Sequence, residues 1–193
     1  MDNDQELVAR VLGGDQAAFA ELVELYQQQV YNLTYRMLGN TGEAEDAAQE
    51  AFLRAYQHLD RYDPARPFKT WLLSIASNYC IDRLRKRRLT WLSIDEPLPP
   101  HPNLTSSAPG PEEAMVLQER SHAIQELLAG LAPDYRAAVI LRYWYDMSYA
   151  EIAETLDTTE SAIKSRLFRA RQTLAQQIEA GQSVGLIAAM EGA

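Results

Sequence analysis

Between Asp95 and Pro111 the chain reads DEPLPPHPNLTSSAPGP, with six prolines in that stretch. Each proline removes a backbone N–H and fixes its own φ, so neither a helix nor a central strand can pass through. Whatever folds here must do so on either side of this break, and the break itself reads as a partly extended linker. The boundaries that follow are a first domain over 1–92, a Pro-rich acidic linker over 93–111, a second domain over 112–180 and a tail over 181–193.

Both flanks carry helical periodicity and no period-two pattern. In AAFAELVELYQQQVYNLTYRML the apolar positions Phe19, Leu22, Val23, Leu25, Tyr26, Val30 and Leu33 recur near every 3.6 residues. The expected helices are 5–12, 15–38, 43–58, 67–88, 112–129, 134–145, 149–155 and 159–179, with Thr41, Glu43 and Glu45 marking the start of the third. Pro64 and Pro67 break the chain before the fourth. The fold class is all-α, with two helical domains. Apolar residues make up 47% of the chain, enough for packed cores. Cys80 is the single cysteine and lies in an apolar helical pattern, which fits a core residue in a reducing compartment. No secretory core or membrane-length apolar run is present, so a cytoplasmic location without membrane insertion is expected.

Charge is unevenly placed. The formal net charge is −9, yet DRLRKRR (82–88) holds five of the eighteen cationic residues, and Lys164, Arg166, Arg169 and Arg171 form a second island. Residues 91–119 hold five acids and no base. Two local basic patches on an acidic body point to a polyanion gripped at two places.

The second island belongs to SYAEIAETLDTTESAIKSRLFRARQTL (148–174). A short helix turns Ile152, Ala153 and Leu156 inward, Asp157-Thr158 makes a turn, and Thr159 caps the next helix. There Ile163, Leu167, Ala170 and Leu174 form a buried stripe, opposite Ser161, Ser165, Phe168 and Gln172, with Lys164 and Arg169 at the flanks. A small residue, a turn, a cap and a stripe in register describe a helix-turn-helix whose second helix enters a major groove. Asp157 occupies the turn position where glycine is common, and aspartate tolerates the left-handed region. A plain helical hairpin with a solvated basic face is the competing reading.

The first island ends RYDPARPFKTWLLSIASNYCIDRLRKRR, which interleaves Tyr62, Phe68, Trp71 and Tyr79 with Arg61, Arg66, Lys69, Arg83, Arg85, Lys86, Arg87 and Arg88. Rings among cations suit single-stranded nucleic acid, where bases stack and phosphates pair. The competing reading makes the rings core and the basic run a solvated helix end.

Taken in order, EAEDAAQEAFLRAYQHLDRYD (43–63), FKTWLLSIASNYCIDRLRKRR (68–88), LAPDYRAAVILRYWYDMSYAEIAETL (131–156) and SAIKSRLFRARQTL (161–174) resemble the extracytoplasmic-function RNA polymerase sigma factors over nearly the whole chain. The resemblance implies a sigma-2 module and a sigma-4 module. It implies that Asp46, Gln49, Glu50 and Phe52 dock on core RNA polymerase, with Phe52 equally readable as core. It implies that the 63–68 loop and the following helix open the −10 promoter element, using Arg61, Tyr62, Phe68, Lys69, Trp71, Asn78, Asp82, Arg83, Arg85, Lys86, Arg87 and Arg88. Ser161, Lys164, Ser165, Arg166, Phe168 and Arg169 would face the −35 element. The partners implied are core RNA polymerase, promoter DNA (duplex at −35, a melted strand at −10) and an anti-sigma factor.

A conventional helix-turn-helix regulator binding an operator is the rival, but it has no use for an aromatic-basic helix or an acidic docking helix. Enzyme chemistry finds no motif. His58, His101 and His122 are scattered, and no phosphate loop, metal spacing or nucleophile pattern occurs. No catalytic residue, metal or cofactor is expected.

Overall fold

The computed structural model describes residues 3–92 and 111–180, with side chains over 3–87 and 120–180. The linker expected at 93–111, except Pro111, and the tail at 181–193 lie outside the described residues. Among the described residues there are helices and turns but no strand: α1 (Asn3–Leu12), α2 (Gln16–Leu38), α3 (Thr41–Gln57), a 3₁₀ turn (Leu59–Arg61), α4 (Phe68–Leu92), α5 (Pro111–Ala129), α6 (Pro133–Trp144), α7 (Tyr149–Thr155) and α8 (Glu160–Glu179).

The expected helices are all present. Two ends differ. Asn40 rather than Thr41 caps α3, its side chain accepting from the Glu43 N–H at 3.0 Å. Helix α4 runs on to Leu92 because no proline or glycine interrupts 68–92.

The first bundle is α1–α4. Asp15 caps α2 by accepting from the Ala17 and Ala18 N–H groups, and the guanidinium of Arg10 holds its carboxyl below the usual range. Gly39, at φ 73, ends α2 in the left-handed conformation, its N–H donating to the Tyr35 carbonyl. Helix α3 buries Ala44, Ala47, Ala48, Ala51 and Ala55. That small-residue stripe lets α2 and α4 approach closely, so Leu22, Val30, Leu33 and Met37 meet Leu72, Leu73, Ala76 and Cys80. Burial pushes the Cys80 thiol up to about 12, so it is inert as a nucleophile.

The second bundle is α5–α8. Ala137, Ala138, Ile140 and Leu141 of α6 pack on Ile152 and Ala153 of α7 and on Ile163, Leu167 and Ala170 of α8. Leu174 is half-buried at the end of that stripe. Thr159 caps α8 as expected, accepting from the Ala162 N–H at 3.2 Å, and Asp157 adopts φ 46 in the turn. Helix α7 opens on a capping box. The Glu151 N–H donates to Ser148 Oγ at 3.2 Å, and the Ser148 N–H donates to Glu151 Oε2 at 2.7 Å. Ser148→Ala removes one arm of this box and should lower stability by about 1 kcal/mol, read from the urea midpoint at unchanged m-value.

Two independently tethered bodies would leave a solvated gap. Instead the bundles pack against one another. Arg136 of α6, 8% exposed, donates to the carbonyl of Met37 at the end of α2. It also reaches the Ala129 and Leu131 carbonyls of its own bundle. Tyr145 donates its hydroxyl to the Gln29 carbonyl. Arg36 lies 5.1 Å from the Trp144 ring centroid. Among the described residues no helix is long and apolar enough to cross a membrane.

Candidate nucleic-acid interface

Along α4, Trp71, Ile75, Asn78 and Asp82 fall at spacings of four, three and four, so they share one face. That face lines an open cleft of about 560 Å³. Glu50, Arg54 and Gln57 of α3, with His58 and Arg61, line it too, and Tyr79 completes the lining. Arg54 donates to Glu50 at 2.7 Å and sits 4.8 Å from the Tyr79 ring centroid. A half-buried indole, two amides, two carboxylates and two guanidiniums in one cleft can stack on a flat base, read its edge and neutralise phosphate.

Two aromatic residues expected to contact the strand are not at this surface. Phe68 is 1% exposed and Tyr62 is buried beside it. Phe68 packs against Tyr26, Tyr62 and Trp71 with ring centroids 5.5 to 5.7 Å apart. The reason is position: Phe68 begins α4 on its inward face, and Tyr62 turns inward so that its hydroxyl bonds the Arg66 carbonyl and closes the loop. Both support Trp71 from behind.

The basic end of α4 also divides. Arg83 and Arg87, four apart, face α3 and pair with Glu43 at 3.5 and 2.9 Å. Arg85 and Lys86 point away and are exposed. Arg85 meets both oxygens of Asp134 at 2.9 Å. Lys69 is half-buried with its ammonium 5.8 Å from the Tyr145 ring centroid. The Arg88 side chain lies outside the described residues. The dense charge run is thus partly an intramolecular ion-pair network.

On α8, Ser161, Lys164, Ser165, Phe168 and Arg169 are exposed together on the side away from the core. Phe168 is 57% exposed, and no ring contact holds it among the described residues. Arg169 donates to the Tyr135 hydroxyl at 3.3 Å, which raises its pKa. Arg166 is half-buried and turns toward Asp134, at 3.6 Å. On α3, Asp46 and Gln49 are exposed and Glu50 is half-buried. Phe52, expected there as a docking residue, is buried in the core. The alanine stripe sets the inward face of α3, and Phe52 follows Ala48 and Ala51 onto it. Leu53 and Tyr56 are exposed instead. Their spacing from Gln49, four and seven residues, was the available signal.

Comparison with known proteins matches this division. The model of Sigma-70 region 2 matches residues 22–90, and that of Sigma-70 region 4 matches residues 121–174. The ECF RNA polymerase sigma factor SigW of Bacillus subtilis (strain 168) is 40% identical over 176 residues, covering 89% of this chain and 94% of its own. Among solved structures, CnrH in complex with the cytosolic domain of CnrY is similar at TM-score 0.67 and 26% identity. That likeness covers 93% of this chain and 99% of the other. The sigma factor RpoE in complex with the anti-sigma factor NepR from Bartonella quintana shares the fold at TM-score 0.61 and 24% identity, over 83% and 96%.

Proposed function

The chain belongs to the extracytoplasmic-function family of RNA polymerase sigma factors, and from that premise we propose how its residues divide the work. It directs core RNA polymerase to promoters, melting and reading the −10 element and reading the −35 element. Sigma factors are not enzymes, and we assign no catalytic residue.

In this reading residues 1–92 handle polymerase and the −10 element, 93–111 tether, and 112–180 handle the −35 element. The cleft between α3 and α4 takes the unpaired strand, with Trp71 as the stacking face, Asn78 and Asp82 as edge readers, and Arg61, Arg85 and Lys86 toward phosphate. What carries this is the cleft lining, which combines an indole, amides, carboxylates and guanidiniums held mostly by α3 and α4. Asp46, Gln49 and Glu50 dock on polymerase, with Leu53 beside them in place of Phe52. On α8, Lys164, Ser165, Phe168 and Arg169 read the duplex. A protein inhibitor of the anti-sigma type is the expected regulator, in keeping with the complexed state of the CnrH relative. The site of action is the cytoplasm, where the polymerase is.

The test is transcription from a promoter library by core polymerase with and without the chain. Promoter-specific transcripts are expected only with it. Specific, tight duplex binding by the isolated chain, with no effect on polymerase, would instead support an operator-binding regulator. Within the same assay, Arg169→Ala should cost roughly 1–3 kcal/mol at one −35 base pair if the guanidinium reads a guanine edge. If it touches only phosphate, all promoters weaken alike and the salt slope falls by about one. Unchanged affinity, slope and preference would remove Arg169 from the interface.

A further inference from the structure

Arg54 lines the cleft between α3 and α4 but has no part in the division of work above. Its guanidinium is held on two sides. The Nε–H donates to Glu50 Oε1 at 2.7 Å, one turn earlier on α3, and the central carbon of the fork lies 4.8 Å from the Tyr79 ring centroid, over the ring. The ring is itself fixed. It is half-buried, and Arg83, which pairs with Glu43, donates to its hydroxyl at 3.5 Å. Nη1 and Nη2 of Arg54 have no partner among the described residues, and 44% of the side chain is exposed. An ion pair between exposed residues four apart on a helix adds little stability. Its effect here is geometric, since it fixes the plane of the guanidinium and leaves the two-nitrogen edge free.

The charge of the cleft indicates what that edge meets. The two carboxylates of the lining, Glu50 and Asp82, offset its two guanidiniums, Arg54 and Arg61. Arg54 in particular carries its counter-ion with it. A charge-balanced pair has little net attraction for phosphate but keeps directional donors, which suit neutral acceptors on a base edge. Two N–H groups pointing the same way match guanine, whose O6 and N7 accept side by side. Adenine sets an amino donor beside N7, and the pyrimidines have no N7. In an unpaired strand that edge is free to turn toward the protein.

We propose that Arg54 is a specificity-determining residue of the cleft, reading O6 and N7 of one guanine in the unpaired strand, and that Glu50 and Tyr79 are the positioning residues that aim it. The proposal rests on the sigma-factor reading, in which this cleft takes the unpaired strand, and adds a base preference to it.

The test uses holoenzyme reconstituted from core polymerase and the full chain. Its probes are fluorescent single-stranded oligonucleotides spanning the −10 element, with each position varied through the four bases. At one position guanine should bind about 5- to 150-fold tighter than the other bases, the range for a bidentate contact. At that position 7-deazaguanine, which lacks N7 but keeps its pairing edge, should lose at least fivefold. Arg54→Ala should abolish this preference and leave the preferences at other positions and the affinity for core polymerase unchanged. Arg54→Lys should not restore it, because an ammonium lacks the fork. Glu50→Ala should shrink the preference at the same base and at no other. If circular dichroism shows Arg54→Ala unfolded, the 7-deazaguanine result on the wild-type chain decides. A guanine preference kept by folded Arg54→Ala, indifference to 7-deazaguanine, or a uniform loss over all bases with a salt slope lower by about one would each overturn the proposal, the last by making Arg54 a phosphate contact. Absence of any guanine preference while promoter-specific transcription persists would overturn the proposal alone. Absence of promoter-specific transcription by the wild-type chain would overturn the sigma-factor reading beneath it.

Discussion

Phe68→Ala is expected to remove about 3–5 kcal/mol of stability, the usual cost of deleting a buried ring whose surroundings cannot collapse. Against a total of about 5–15 kcal/mol for a domain, that leaves the first bundle marginal or unfolded. Trp71→Ala, at a half-buried ring, should cost roughly 1–2 kcal/mol and leave the bundle folded. The two variants should then separate in function. Trp71→Ala should dock on polymerase yet form open complexes poorly on duplex promoters, with rescue on a pre-melted template because the unstacking cost is gone. Phe68→Ala should fail on both templates. Urea denaturation followed by circular dichroism, beside open-complex assays, gives the comparison. Equal loss of stability in both variants would make Trp71 a core residue and remove the stacking face from the cleft.

Arg136→Ala is expected to cost about 3 kcal/mol. Hydrogen bonds from a charged donor contribute roughly 1.5–3 kcal/mol, and burial leaves the acceptors without replacement by water. Arg136 serves carbonyls rather than an acid: Met37 at the end of α2, Ala129 at the end of α5, and Leu131 just beyond. Those helix ends carry the negative pole of their dipoles, which is what compensates a cation there. Compensation is incomplete, since burial, with Arg87 nearby, draws the Arg136 pKa down to about 10. Arg136→Lys should recover only part of the loss, because an ammonium cannot present the forked geometry that reaches two helix ends at once. Equilibrium unfolding in urea measures both variants. Wild-type stability in Arg136→Ala would mean that the carbonyls find water and the guanidinium is dispensable.

The helices were legible because their signals are local. A proline pair stops the chain before α4, glycine ends α2, threonine caps α8, and a three- and four-residue rhythm marks each inward stripe. The left-handed turn was legible from Asp157 for the same reason. The side-chain roles were less so. A phenylalanine among cations looks alike whether it faces in or out, and the direction of Phe68 is set by where α4 begins. Phe52 turned inward because four neighbouring alanines fixed the inner face of α3. Arg83 and Arg87 read as free charge until α3 brought Glu43 beside them. The seam between the bundles was beyond sequence reasoning altogether. Arg85 and Asp134 are 49 residues apart, and two of its central acceptors are main-chain carbonyls that every residue type shares.

Helix α4 has 25 residues and so extends for about 37 Å without a break. Its early and middle turns carry Trp71, Asn78 and Asp82; further along the same cylinder stands Arg85, the residue that meets Asp134. A continuous α-helix behaves as a stiff rod over such a length, with no joint at which tilt could be absorbed. The face that lines the cleft and the contact with Asp134 therefore keep a fixed spacing and angle along the helix.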